Sequence, residues 1–362
     1  MRRIKSTFCL GPLVVAISTA VVGHNWGALE QEAASGLPKP NFILHDRGLH
    51  PQKPRTIVGS NGSFTVSAGT SMIEVSSLSF SADGKLLAVG STPGIVDVWN
   101  LETREKVHAF KGGTAVALSS DGRILEKDGN GIEIIDLPSG AVRRTIPWSS
   151  GLGSEDHTIQ SVTMNPNNTQ ILVASNGQDL KVFDVTSGAL LATLTNTRRG
   201  TFSPDGALVI GGDYRHLMTW NAVNWEVVRD LPNPGPGYVT TIAADPAHDL
   251  EVVGGSKSAR LLKLTTGAQL GVVGDATNFA AIGNTGSLVF TYTSRGFAIW
   301  DATGRLRCLK AGNSYYTMAI SPDNHWLAAA PSGQLTDVAV WELSQVIVSC
   351  STDMGGTGSQ PR

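Results

Sequence analysis

The stretch "FSADGKLLAVGS" (residues 80–91) has the order of a short apolar segment, a tight turn and a second apolar segment. It returns as "FSPDGALVIGGD" (202–213) and as "ISPDNHWLAAAP" (320–331). In "SPDG", Pro204 fixes φ at the second turn position, Asp205 suits the third, and Gly206 takes the left-handed conformation that follows. Each stretch therefore encodes a β-hairpin. Aligned on the position of Asp83, the equivalents are Asp121, Asn167, Asp205, Ala247, Thr285 and Asp323, at spacings of 38, 46, 38, 42, 38 and 38 residues.

Seven copies at about 40 residues in an all-β pattern have the period of propeller blades. The segment after each turn ("LLAVGS", "ILVASN", "LVIGGD", "LEVVGG") is apolar on both faces, as for a strand buried between neighbouring sheets. A third strand ends in a bulky residue and a polar one: Trp99-Asn100, Ile135-Asp136, Phe183-Asp184, Trp220-Asn221, Leu262-Lys263, Trp300-Asp301 and Trp341-Glu342. Turns such as "TSG" (186–188) or "TTG" (265–267) then lead to an outer fourth strand. The expectation is an all-β, seven-bladed β-propeller of four-stranded antiparallel blades. Composition agrees, because 41 glycines against 6% aromatic residues suit a turn-dense β protein.

Hairpin, buried strand, Trp-Asp ending and outer strand, repeated over residues 74–350, resemble the WD-repeat β-propeller family. The match is strong in copies one, four, six and seven. The Gly-His dipeptide of that family is absent from the repeats, and within them only His157-Thr158 resembles its histidine. The resemblance thus implies that packing, rather than a histidine-centred hydrogen-bond network, holds most blades.

Residues 1–23 are expected to be an export signal. Arg2, Arg3 and Lys5 precede "FCLGPLVVAISTAVV" (8–22), an uncharged run of 15 residues with small residues near its end. That run falls short of the roughly 20 residues of a spanning helix, so export to a periplasmic or secreted location is preferred over an uncleaved membrane anchor. No membrane insertion is expected after cleavage. Residues 24–55, with four prolines and no periodicity, are expected to be a linker or N-terminal arm, 56–350 the propeller, and 351–362 a disordered tail. Either "SFTVSAG" (63–69) or "SQVIVSC" (344–350) could complete the last blade. Cys308 and Cys350 are expected on outer strands of neighbouring blades, too far apart to bridge, and so to stay as free thiols.

A formal charge of −2 gives no reason to expect nucleic acid as a partner. No H-E-x-x-H, G-x-S-x-G, Walker loop or paired C-x-x-C occurs, so no catalytic residue, metal ligand or cofactor is assigned. The recurring Asp83, Asp121, Asp205 and Asp323 are expected to be turn formers, and Trp99, Trp220, Trp300 and Trp341 to pack between blades. Trp225 and Trp326 fall off the repeat register and receive no role.

A propeller carries its chemistry on loops around a rigid ring. The loops that enter each repeat and those between its second and third strands share one face. On it the sequence places Trp148, His157, Arg198, Arg199, Tyr214, Arg215, His216, Tyr238, Arg260, Arg295, Tyr315 and Tyr316. Arginine and aromatic residues dominate interface energetics. This face is the candidate binding surface for a protein or peptide. The expected function is a non-enzymatic interaction scaffold, the alternative being a propeller hydrolase or lyase acting on a lactone or sugar.

Overall fold

The computed structural model describes residues 36–45, 55–59, 62–66, 74–92, 94–122, 124–128, 131–148, 159–175, 179–233, 235, 237–283, 288–311, 315–331 and 337–353. Within them lie seven four-stranded antiparallel sheets, six of them simple meanders. Sheet 1 runs Val75–Phe80, Leu86–Ser91, Ile95–Asn100 and Glu105–Lys111. Sheets 2 to 6 follow at 116–147, 159–194, 199–232, 239–275 and 277–310. Sheet 7 holds Tyr315–Ile320, Trp326–Pro331, Val338–Glu342 and a strand from far upstream, Phe42–Leu44. The first strands of successive sheets touch in turn, and that of sheet 7 touches that of sheet 1. The fold is an all-β propeller with four-stranded antiparallel blades.

The apolar pattern explains how the ring is held. Second strands are buried almost throughout, as in Leu86–Ser91 and Gln170–Ser175, whereas fourth strands such as Ala141–Pro147 are mostly exposed. Among the described residues the core is divided into separate clusters. Each hydrophobic cluster lies between one pair of adjacent sheets, and the cluster of Leu44, Val75, Leu87, Trp99, Ala328 and Val340 joins sheet 7 to sheet 1. The tryptophans that end third strands contribute as expected: Trp99, Trp220 and Trp341 are buried in these clusters, and Trp300 packs against the one between sheets 5 and 6.

The repeated turns work as the sequence suggests. The Ser81, Ser119, Ser203 and Ser321 hydroxyls donate to Asp83, Asp121, Asp205 and Asp323 at 2.6, 2.5, 2.5 and 2.5 Å. The same serine oxygens accept the backbone N–H of Leu86, Leu208 and Trp326, which closes the hairpins in sheets 1, 4 and 7. In sheet 5, where Ala247 replaces the aspartate, a single 3₁₀ turn (Pro246–His248) capped by Asp245 takes over. Thr285 lies outside the described residues.

Closure of the ring departs from both sequence candidates. Phe42–Leu44, inside the expected linker, completes sheet 7 by pairing Phe42 with Val340, Ile43 with Ala339 and Leu44 with Val338. It is tied on every side. The Trp341 indole donates to Pro38 O at 2.6 Å, and the Asn41 side chain accepts from Glu342 N at 2.7 Å. Trp326 meets the Phe42 ring edge-on at 5.6 Å, a role its off-register position did not suggest. The Arg104 guanidinium lies 4.8 Å from the same ring. Residues Gly62–Val66 instead pair with Arg55–Gly59 in a separate hairpin.

The segment containing "SQVIVSC" is a helix, Leu343–Asp353, and not an outer strand. Its edge position in sheet 7 is already taken, and Leu343, Val346 and Cys350 form a buried stripe at helical spacing while Val348 stays exposed. This overturns the expectation of free thiols. The helix brings Cys350 to the outer strand Leu306–Lys310 of sheet 6, where Cys308 and Cys350 are disulfide-bonded with a Cα–Cα distance of 5.5 Å. Lys310 Nζ adds a bond to Ser349 O at 3.1 Å. The helix also carries residues 351–353 of the expected tail. The expected signal (1–23) and residues 354–362 lie outside the described residues.

Candidate functional site

Two positions of the repeat line the two mouths of the central channel. Three residues before each aligned turn position stand Phe80, Leu118, Met164, Phe202, Ala244, Ile282 and Ile320. Six of them, with Pro166, Pro204 and Pro322, line an open cavity of about 550 Å³ at the hairpin mouth. Seven residues before the turn position stand Ser76, Thr114, Gln160, Arg198, Thr240, Asn278 and Tyr316, all able to hydrogen-bond. These surround the opposite mouth, about 13 Å away along a four-residue rise of strand.

The polar ring is built on bulges. The first strands of sheets 1, 3, 5, 6 and 7 shift register across Ser76, Gln160, Thr240, Asn278 and Tyr316, leaving those residues out of the ladder. Released from pairing, some reach the next sheet. Ser76 Oγ donates to Thr114 O at 2.7 Å, Asn278 Nδ2 to Tyr316 O at 3.1 Å, and Thr240 Oγ1 to Thr277 O. Hydrogen bonds therefore join blades that the missing Gly-His dipeptide was expected to leave to packing alone. The Trp300 indole likewise donates to Thr291 Oγ1 at 2.8 Å within sheet 6.

At sheets 4 and 5 this mouth carries a basic and aromatic cluster. The Arg215 guanidinium lies 4.8 Å from the Tyr214 ring, Tyr214 meets Tyr238 edge-on at 5.8 Å, and Arg198 lies 5.3 Å from the Tyr238 ring. Tyr214 and Tyr238 remain 42% and 52% exposed, which is high for rings in mutual contact. Arg199 opens the first strand of sheet 4 and donates to Gln160 Oε1 at 3.3 Å. Burial, and then the neighbouring charge of Arg198, push its guanidinium below the usual arginine value, while Tyr316 acts in the opposite sense. His216 pairs through Nδ1 with Asp230 at 3.0 Å. Asp213 caps the local turn, accepting from Arg215 N and His216 N at 2.5 and 2.6 Å.

Two hollows flank the cluster. One, of about 230 Å³, is lined by Gln160, Arg198, Arg199, Asp213, Tyr238, Val239 and Thr240. The other, of about 390 Å³, shares Thr240 and continues over Ser256, Thr277, Asn278, Tyr292 and Ser294.

The structure thus brings together Arg198, Arg199, Tyr214, Arg215, His216 and Tyr238, with Tyr316, half exposed, on the same ring. The other expected residues stand apart. Tyr315 is a core residue, 5% exposed and edge-on to both Tyr292 and Trp341, because the bulge at Tyr316 turns its neighbour inward. Trp148 packs on Phe183 between sheets 2 and 3, with Lys181 Nζ 4.9 Å from its ring. Arg260 lies within the third strand of sheet 5, two strands out from the channel. Arg295 occupies the exposed turn after Thr293, in sheet 6, and lines neither of the two hollows. His157 lies outside the described residues. Sequence reading missed Gln160, Asp213, Thr240 and Asn278; three of these share the repeat position of Arg198, so the aligned copies held the signal. Among the described residues, no group of three or more His, Cys, Asp or Glu could hold a metal ion.

Comparison with known proteins agrees with the fold. Residues 60–124 match the family model of the anaphase-promoting complex subunit 4 WD40 domain. Over 204 residues, 54% of the chain, the sequence is 24% identical to telomerase protein component 1 of Rattus norvegicus. The chain spans 7% of the length of that relative.

Proposed function

We propose that this chain, a member of the WD-repeat β-propeller family, is a non-enzymatic platform that binds a protein or peptide at the arginine-bearing mouth of its channel. The observation that carries this reading is the run Arg215–Tyr214–Tyr238–Arg198, whose rings stay exposed while touching one another. Rings and guanidiniums in mutual contact are rigid, amphipathic anchors, and such groups carry most of the energy of protein interfaces. Taking each four-stranded sheet as one blade, the platform has seven blades, and its repeated hairpin serves to build the ring rather than to meet the ligand.

The test is affinity capture with the full chain beside Arg198→Glu/Arg199→Glu/Arg215→Glu, folding being checked by circular dichroism. A partner held by the first and lost by the second supports the reading. Equal capture by both would move the site elsewhere, and capture by neither would remove the platform.

We further propose that the protein is exported and that its N-terminal basic and apolar segment is the signal. A disulfide between Cys308 and Cys350 suits an oxidising compartment. Maleimide labelling of denatured protein taken from its native source should reach Cys308 and Cys350 only after reduction. Labelling without reductant would count against this location.

A further inference from the structure

We infer that the hollow between Arg198 and Arg199 is a recognition pocket for a single carboxylate side chain, the anchor of an acidic peptide; this rests on the platform reading above. The argument begins with charge. Among the described residues, no carboxylate oxygen forms an ion pair with either guanidinium, and Arg199 has one hydrogen bond, to the neutral amide of Gln160. A guanidinium carries five N–H donors in a planar fork that fits a carboxylate. Two adjacent cations, one of them largely taken out of water, repel each other, and an arriving anion removes that repulsion.

The hollow also fixes the size and valence of its ligand. At about 230 Å³ it is below the roughly 300–1,000 Å³ of pockets that enclose whole small molecules, so it suits one side chain. Asp213 shares the wall, held by two backbone N–H groups. Two guanidiniums and one carboxylate leave one net positive charge, which matches a carboxylate and leaves a phosphate dianion in excess. The adjoining hollow is uncharged, and Thr240, Ser256 and Asn278 on its wall give the next residues of an extended peptide hydroxyl and amide partners.

The experiment uses a fluorescein-labelled oligo-glutamate peptide titrated into the full chain by fluorescence anisotropy, beside oligo-glutamine of equal length. Oligo-glutamate is expected to bind at least about tenfold more tightly than oligo-glutamine, a difference of about 1.4 kcal/mol. Arg199→Gln should remove that preference without changing the melting temperature, and Arg199→Lys should restore part of it. Inorganic phosphate should compete no better than chloride at matched ionic strength. Equal binding of the two peptides, an unaffected Arg199→Gln, or displacement by phosphate ahead of chloride would each overturn the inference. Failure of both peptides to bind while native partner is still captured in an Arg198- and Arg199-dependent way would overturn the acidic ligand and leave the platform standing.

Discussion

The two mouths of the channel are made from the same strand, four residues apart, yet they are held together by different forces. At the hairpin mouth the ring position carries Phe, Leu, Met, Ala or Ile, and neighbouring blades meet mainly through apolar contact, with hydrogen bonds between the turns of sheets 2 and 3 from Ser120 to Asn168 and Pro166. At the other mouth a bulge frees a polar side chain, and blades meet through hydrogen bonds to each other's backbone. Packing is satisfied by shape alone and leaves little for a ligand. A ring of polar groups is satisfied only in part by its neighbours; Arg198 and Arg199 are the extreme case, where charge exceeds what the protein supplies. Stability is therefore concentrated at one mouth and recognition at the other.

Substitutions can break this contrast, and the largest effect belongs to the hairpin mouth. Phe202→Ala removes a 6% exposed ring from the cluster between sheets 3 and 4 and should cost about 3–5 kcal/mol. Partner affinity of the remaining folded protein should not change; denaturant titration and the capture assay read the two quantities separately. Gly90→Ala is next. A Cβ there would stand 2.4 Å from Thr114 O and 2.7 Å from Ser77 Oγ. The cost should be about 1–3 kcal/mol, the usual range for overpacking. Ser76→Ala deletes one inter-blade hydrogen bond of the polar ring and should lower stability by only about 1 kcal/mol. If Ser76→Ala proved as costly as Phe202→Ala, the division of labour between the mouths would fail.

The smallest expected effect is on acidification, and it falls on turns. The Ser81 hydroxyl holds the Asp83 carboxyl below its ordinary value of 3.8, the Ser187 N–H does the same for Asp184, and the Thr303 hydroxyl for Asp301. Folded values below the unfolded ones add stability that is complete above about pH 4 and is lost as pH falls through the folded values. The difference in melting temperature between the parent and Asp83→Asn should hold steady down to about pH 4 and then narrow as Asp83 protonates. A narrowing that begins near neutrality would point to another group.

Much of this was legible in advance because a repeat writes the same physics many times. The turn serine and aspartate, the buried second strand and the bulky end of the third each recur, so chance similarity in one copy is corrected by the others. What the sequence hid were contacts that occur once. Nothing local marks "FIL" (42–44) as the strand that closes the ring, since three residues carry no periodicity and their partners lie some 300 positions away. "SQVIVSC" is rich in β-branched residues, and only the prior occupation of the sheet edge sends it into a helix, which in turn makes the Cys308–Cys350 bond. The bulges were hidden for another reason: each turns one residue outward and its neighbour inward, so Tyr315 and Tyr316 exchange the roles that adjacency suggested.

The most direct test of the central claim is hydrogen–deuterium exchange of the full chain with and without its captured partner. The account predicts new protection in the segments around Arg199, Asp213 to His216 and Tyr238 to Thr240, with the hairpins at Asp83, Asp205 and Asp323 unchanged. Protection of those hairpins, with the arginine mouth still exchanging freely, would place recognition at the apolar mouth and contradict the account.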